Sequence, residues 1–316
     1  MTNPQISVII PAYNAANTID RAIKSIIAQS FGDWELIVVD DCSTDDTAGI
    51  VGKFSRMDPR IHLCVRASNS GGAFVPRIQG FRMACGQMIA PIDADDTVGP
   101  GYLEALMARS RSVEADMVLA AVELVSADGE CRPYLPADGI DADKIYSGRD
   151  LVKETIEQWR VSGLGLIRRE LALKVADMIS STGHPFADEV FTRQLLFEAE
   201  TVALCNDAVY FYAMNPKSVT HRTDNHTYFQ RFGLSHDLLE WCEENYSCDS
   251  VEYALFHKQN ALVIVAAIRD RFFLSMTVYR EVVRRNMAMV DMDVARRLLP
   301  AKYYYPLLMF KWMAFC

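Results

Sequence analysis

WELIVVDDCSTDDT, residues 34–47, contains the change of character that organises the chain. Trp34–Asp40 is a β-branched apolar run broken only by Glu35, and after it the sequence turns acidic and small: Asp40, Asp41, Cys42, Ser43, Thr44, Asp45. A short continuous apolar run ended this way reads as a strand buried on both faces. A helix over Asp45–Phe54 follows. The same arrangement occurs on either side of this stretch. Upstream, Ile6–Pro11 (ISVIIP) is a strand closed by proline, and Ile19, Ala22, Ile23, Ile26 and Ile27 recur at helical spacing behind a cap at Asn17 or Thr18. Downstream come a short strand at Ile61–Val65, a helix within Gly72–Cys85, a strand at Met88–Ile92 (MIAPI), a helix at Pro100–Val113 and a strand at Met117–Glu123. Such alternation predicts an α/β fold with a mostly parallel sheet and helices on both faces. Sheets of this type bind ligands beyond the carboxyl ends of their strands, so the chemistry should follow Pro11, Asp40 and Ile92.

The second half is less regular. Residues 126–147 are rich in Asp, Gly and Pro and read as a loop. A helix near Gly148–Trp159, a segment Val161–Arg169, a helix opened by Ala187–Asp188 and two short strands within 201–212 come next, and from Asp224 the pattern is helical.

Half of the 316 residues are hydrophobic, which excludes disorder over most of the length, and a net charge of −9 disfavours nucleic acid as a partner. The charge is uneven: residues 271–316 carry +5 and the remainder −14. Eight scattered cysteines with no CxxC pair read as buried reduced thiols and predict cytoplasmic residence. MTNPQ shows no signal-peptide pattern, and the longest apolar run, Leu262–Ile268, is too short to span a bilayer.

Three acidic groups stand out: Asp40-Asp41 with Asp45, then Asp93-Ala94-Asp95-Asp96, then Asp188-Glu189. A single acidic pair is ordinarily a turn or helix cap. Three carboxylates in four residues directly after an apolar strand repel one another unless a cation lies between them. Mg²⁺ and similar hard cations take one or two carboxylates together with substrate phosphates, so this group implies Mn²⁺ or Mg²⁺ bridging the protein to a diphosphate.

SVIIPAYNA (7–15), ELIVVDDCSTDDT (35–47) and SNSGGAFVPRIQGFRMACGQMIAPIDADD (68–96), in this order and spacing, resemble the N-terminal half of the family 2 glycosyltransferases, with fainter likeness in ADEVFTRQLLF (187–197) and VYFYAMNPKSVTHR (209–222). The resemblance implies a GT-A nucleotide-diphospho-sugar transferase fold over residues 1–222. Within it, 1–125 would be the nucleotide-sugar-binding half and 126–222 the acceptor and catalytic half, followed by a helical C-terminal region 223–316. It implies that Pro11, Ala12 and Tyr13 receive the nucleotide, and that Asp41 hydrogen-bonds the base, usually uracil. Asp93, Ala94 and Asp95 match the DXD motif: Asp95 ligates the metal, Asp93 holds ribose or metal, and Asp96 supports them. Arg77 matches an arginine that the family usually follows with Asn, where this chain has Ile78. In the later motif Asp188 holds the place of the general base, Ala187 replaces the usual Glu, and Glu189 is the second candidate. A positioned carboxylate of this kind removes the acceptor hydroxyl's proton as it attacks the anomeric carbon, and one-step displacement inverts that centre. His221 and Arg222 are implied to lie near the diphosphate. His184 reads as an ordinary turn residue, and Trp159 and the Tyr210-Phe211-Tyr212 run read as core.

The expected activity is thus inverting, metal-dependent transfer of a sugar, with a UDP-sugar favoured, to a hydroxyl of a glycan or lipid-linked saccharide in surface polysaccharide synthesis. A non-catalytic nucleotide-sugar or glycan-binding protein on the same fold is the alternative. A sugar-1-phosphate nucleotidyltransferase is disfavoured because PAYNAAN lacks a glycine cluster and a basic residue. The basic, aromatic tail 271–316 has two readings: contact with the inner membrane surface, or a cap that packs on the chain or forms a homo-oligomer contact.

Overall fold

The computed structural model describes residues 3–136, 140–155, 161–178, 187–214, 238–269, 284 and 287–315. They fall into two compact units, one holding the described residues up to Met214 and the other those from residue 238. The expected boundary at 222 lies outside the described residues.

The first unit is built on one nine-stranded sheet. In chain order its elements are β1 (Ile6–Ala12), α1 (Ile19–Ile27), β2 (Trp34–Asp40), α2 (Thr47–Met57), β3 (Ile61–Val65), α3 (Phe74–Met83), β4 (Met88–Pro91), β5 (Thr97–Val98), α4 (Tyr102–Val113), β6 (Met117–Val125), β7 (Cys131–Leu135), α5 (Gly148–Thr155), β8 (Gly165–Arg168), α6 (Arg169–Met178), α7 (Ala187–Glu198) and β9 (Val202–Ala213). The strand order is β3-β2-β1-β4-β8-β6-β9-β5, with β7 paired to β6. The half from β3 to β4 is parallel throughout, as expected. Beyond it, β8 runs antiparallel between β4 and β6, β9 is parallel to β6, and β5 and β7 add antiparallel edges.

Strand β1 shows why the parallel half forms. Ile6, Val8, Ile10 and Ala12 join the core that also contains Ile19, Ala22, Ile23 and Ile26 of α1. The opposite face takes Ile9, against which α3 packs so closely that a Cβ on Gly80 would lie 2.3 Å from the Ile9 Cγ2. At the start of the sheet a buried Glu35 accepts from the Ser7 hydroxyl (2.6 Å) and the Cys85 N–H (2.7 Å), so the acid that interrupts the apolar run of the second strand is satisfied.

Several readings of the second half change. The 126–147 segment contains β7, which forms a hairpin with β6. Its Pro133 and exposed side chains hide it, as is usual for an edge strand. The two strands expected within 201–212 are one strand, β9, whose pairing with β6 skips from Cys205 to Val209; exposed Asn206 and Asp207 bulge from it. Of the seven described cysteines, all free thiols, Cys205 and Cys242 are buried as expected, Cys42 and Cys64 are half-buried, and Cys85, Cys131 and Cys248 are exposed; the Cys85 N–H is turned inward to Glu35.

The second unit is helical where described: 238–245, Val251–Arg269, Met292–Leu298 and Ala301–Phe315. Its core includes Ala261, Ile264, Met287, Val290, Leu299 and Leu307. Asp291 caps its helix, accepting from the N–H of Asp293 (2.9 Å) and Val294 (3.0 Å). Among the described residues no helix is long and apolar enough to cross a membrane.

Gly165 begins the strand that joins the two halves of the sheet. It has φ +145°, and a Cβ there would lie 2.0 Å from the Val118 carbonyl oxygen. Gly165→Ala should therefore cost about 1–3 kcal/mol in backbone strain alone, lowering the thermal midpoint by roughly 2–4 °C per kcal/mol. A melt unchanged from wild type would contradict this geometry.

Candidate active site

The carboxyl ends of β1, β2 and β4 open on one edge of the sheet, because the three strands are parallel and adjacent. The chain order reverses there: β2 lies on one side of β1 and β4 on the other, which is where such sheets leave a crevice. The loops that leave these strands hold most of the residues singled out in the sequence.

After β1, Pro11 and Ala12 are buried and Tyr13 is half-exposed. Asn14, at φ +49°, ties this loop to the next: its N–H donates to the Ser43 hydroxyl (2.9 Å), and its side-chain oxygen accepts from the Thr44 N–H (2.8 Å). Asp45 strengthens the join, accepting from the N–H groups of Ala16 (3.1 Å) and Thr47 (3.0 Å).

After β2, Asp40 turns back to accept from the Ser43 N–H (3.1 Å). Asp41 is only 2% exposed. Its Oδ2 accepts from the N–H (2.9 Å) and hydroxyl (2.8 Å) of Ser70, and its Oδ1 lies 2.7 Å from the Arg66 Nε as a close ion contact rather than an aligned hydrogen bond. Asn69 donates to the Asp41 carbonyl (3.0 Å). Asp41 thus fastens the loop after β3 to the end of β2, an arrangement that the sequence reading did not foresee; the partners Arg66 and Ser70 stand 25 and more residues away.

After β4 the DXD stretch makes a turn, with the Asp96 N–H donating to the Asp93 carbonyl (3.2 Å). Asp93, Ala94 and Asp95 are partly buried and Asp96 is fully buried. Arg77, on α3, donates to the Asp93 Oδ1 (2.6 Å), so two of the residues named from sequence meet. Arg21, on α1, reaches the Asp95 carbonyl. Burial, and then the charge of Asp93, raise the Asp95 carboxyl above its ordinary range. The same two causes push Asp96 up to about 8, against the pull of its hydrogen bonds.

Those bonds come from β9. The Tyr210 hydroxyl donates to the Asp96 Oδ2 (2.7 Å) and accepts from the Asp93 N–H (3.0 Å), and the Ala213 N–H donates to the Asp96 Oδ1 (2.8 Å). Strand β5 pairs with β9 just beyond the turn. Tyr210, read from sequence as core, is indeed fully buried, yet its hydroxyl is the post on which the turn hangs. Burial, with Asp93 and Asp96 beside it, holds that phenol well above its ordinary pKa, so it stays a neutral donor.

The turn fits a divalent cation in its donor chemistry. Asp93 and Asp95 are hard oxygen donors, and a carboxyl raised by a neighbouring carboxylate is a site short of positive charge. Among the described residues no three His, Cys, Asp or Glu side chains converge as a metal cluster.

The other candidates are only partly described. Asp188 and Glu189 lie in the first turn of α7, with their side chains outside the described residues. His221 and Arg222, like His184 and Trp159, lie wholly outside them.

The family model for glycosyl transferase family 2 matches residues 7–175, more than half of the chain and all three of these loops. The chain belongs to that family. It is a glycosyltransferase, as its resemblance implied. The Escherichia coli relative YibD, described as an uncharacterized glycosyltransferase, is 28% identical over 84% of this chain and 79% of YibD. The GalNAc(5)-diNAcBac-PP-undecaprenol beta-1,3-glucosyltransferase of Campylobacter jejuni is 30% identical over 47% of this chain and 48% of its own length. Among solved structures, Staphylococcus aureus TarS 1-349 in complex with UDP matches 97% of this chain and 87% of its own, with a TM-score of 0.69 and 19% identity; TarS 1-349 with UDP-GlcNAc gives 0.68. At this identity the likeness shows the fold, including the helical region that follows the sheet.

Tyr210→Phe removes one hydroxyl and leaves both the Asp93 N–H and the Asp96 carboxyl a partner short, a cost of about 1–3 kcal/mol for the buried groups. Tyr102 is the control: its ring lies 6.4 Å from that of Tyr210, and its buried hydroxyl has no hydrogen-bond partner among the described residues. Tyr102→Phe should melt at or above the wild-type temperature while Tyr210→Phe melts below it. Equal melts for the two variants would remove Tyr210 from this role.

Proposed function

We propose that the protein is an inverting, metal-dependent glycosyltransferase that moves a sugar from a UDP-sugar to a hydroxyl of a glycan or lipid-linked saccharide in the synthesis of a surface polysaccharide. The observation that carries this reading is the DXD turn: Asp93 and Asp95 stand at the switch point of the sheet, with Arg77 on Asp93 and the Asp41 loop on the neighbouring strand. The named substrates of similar proteins support it. TarS 1-349 was crystallised with UDP and with UDP-GlcNAc, and the C. jejuni relative carries a polyprenyl-diphosphate-linked saccharide in its name.

On this reading the loop Pro11–Tyr13 borders the nucleotide, with the Tyr13 ring free to stack, and Asp41 is the acceptor for an N–H of the base. Asp93 and Asp95 would hold Mn²⁺ or Mg²⁺, which when bound would supply positive charge to offset that of the departing diphosphate. Arg77 fixes the carboxylate of Asp93, so the turn need not rearrange on binding. Arg222 and His221 add positive charge on the leaving-group side. Asp188 takes the proton of the acceptor hydroxyl, with Glu189 next in line, while the hydroxyl oxygen attacks the anomeric carbon from the face opposite the diphosphate. The C1–O bond to the diphosphate breaks as the new C1–O bond forms, and the configuration inverts.

Two variants test the assignment. Asp95→Ala should lose Mn²⁺-dependent UDP binding in calorimetry while keeping its melt in the absence of metal, because Asp95 lies in a loop at the edge of the core. Binding equal to wild type would refute the metal role.

Asp188→Asn keeps the shape of the side chain but cannot take a proton. Turnover should fall roughly 10²–10⁴-fold, the usual weight of general base catalysis, with UDP affinity little changed. Near-normal turnover moves the base to Glu189 or ends the assignment.

A further inference from the structure

The helix Ala301–Phe315 of the second unit turns one side inward and leaves another bare. Leu307 is fully buried in the helical core. Tyr305, Leu308 and Met309, at i, i+3 and i+4, are 65%, 43% and 54% exposed. At 100° per residue these three share a stripe with exposed Lys302, one turn earlier. Leading into the helix are exposed Arg296, Arg297 and Leu298, separated from it only by Leu299 and Pro300. Asp291 and Asp293 precede these arginines, and Asp291 is turned to cap its helix.

We propose that this side of the helix, with the basic residues that lead into it, docks on an anionic membrane surface. Large exposed apolar side chains beside Lys and Arg suit an anionic lipid interface, and both are present within residues 296–309. The charge argument selects the occupant. Residues 271–316 carry +5 in a chain of net −9, so the attraction to anionic lipid is local to this region. A symmetric contact with a second copy would set the same patch against itself and oppose its arginines and lysine. The stripe would lie in the interface plane, since no described helix can span a bilayer. This inference stands apart from the sugar-transfer reading, because its test involves neither nucleotide nor acceptor.

The test is co-sedimentation of the full chain with vesicles of phosphatidylcholine mixed with phosphatidylglycerol, and with vesicles of phosphatidylcholine alone. The protein should pellet with the mixed vesicles at low salt, stay in the supernatant with the neutral ones, and be released from the mixed ones as salt screens the charge. Arg296→Gln/Arg297→Gln should lower partitioning roughly thirtyfold at low salt, the effect of two basic residues at such a surface. Leu308→Ser/Met309→Ser should lower it at every salt concentration. All four positions are exposed, so both variants should melt as wild type does. Wild type that ignores mixed vesicles at low salt, or variants that bind as well as wild type, would overturn the proposal. So would a dimer that Leu308→Ser/Met309→Ser dissociates in a protein that binds no vesicles, an outcome that assigns the stripe to a second copy.

Discussion

A carboxyl group deep in a protein is tolerated only when the structure around it supplies the hydrogen bonds that water would have given. Asp96 is such a group, and much of the first unit is arranged about it. Its two oxygens take the Tyr210 hydroxyl and the Ala213 N–H, and the same hydroxyl accepts from Asp93. Asp96 thereby ties the turn after β4 to β9, and the two partly buried carboxylates ahead of it sit on that same turn. Moving any of the three strands β4, β5 or β9 would strand at least one buried polar group.

The parallel half of the sheet was legible because its strands are buried on both faces and so are apolar throughout, with Pro11, Asp40 and Ile92 marking where burial ends. Strand β8 was not. Its four residues carry no period of their own, and its place between β4 and β6 is set by partners far away in the chain. Strand β7 was concealed by exposure, and β9 by a bulge at Asn206 and Asp207 that imitates a turn. Each of these depends on tertiary pairing that local pattern does not encode.

The site divides the same way. The DXD carboxylates announce themselves by type and position, Asp41 and Arg77 through the family resemblance, and the structure joins Arg77 to Asp93 as a partly buried ion pair. Tyr210 does not announce itself. A buried tyrosine looks alike in sequence whether its hydroxyl is bonded or idle, and Tyr102 of α4, fully buried with no hydrogen-bond partner for its hydroxyl among the described residues, is the idle case in the same core. Arg66 and Ser70 were missed for a related reason: nothing near them in sequence says that they close on Asp41. Local sequence showed which carboxylates gather at the sheet edge, but not which groups hold them there.

The bond from Tyr210 to Asp96 also spans 114 residues of chain, and that from Asp93 to Tyr210 spans 117. While the protein is being synthesised, the acidic turn emerges long before the strand that secures it. A nascent chain that has reached α7 has its parallel strands and both carboxylates, yet Asp96 has no phenol to bond and no Ala213 N–H. The acidic turn is therefore finished last, by a strand from the opposite end of the unit. Its completion reports that the whole sheet has been made.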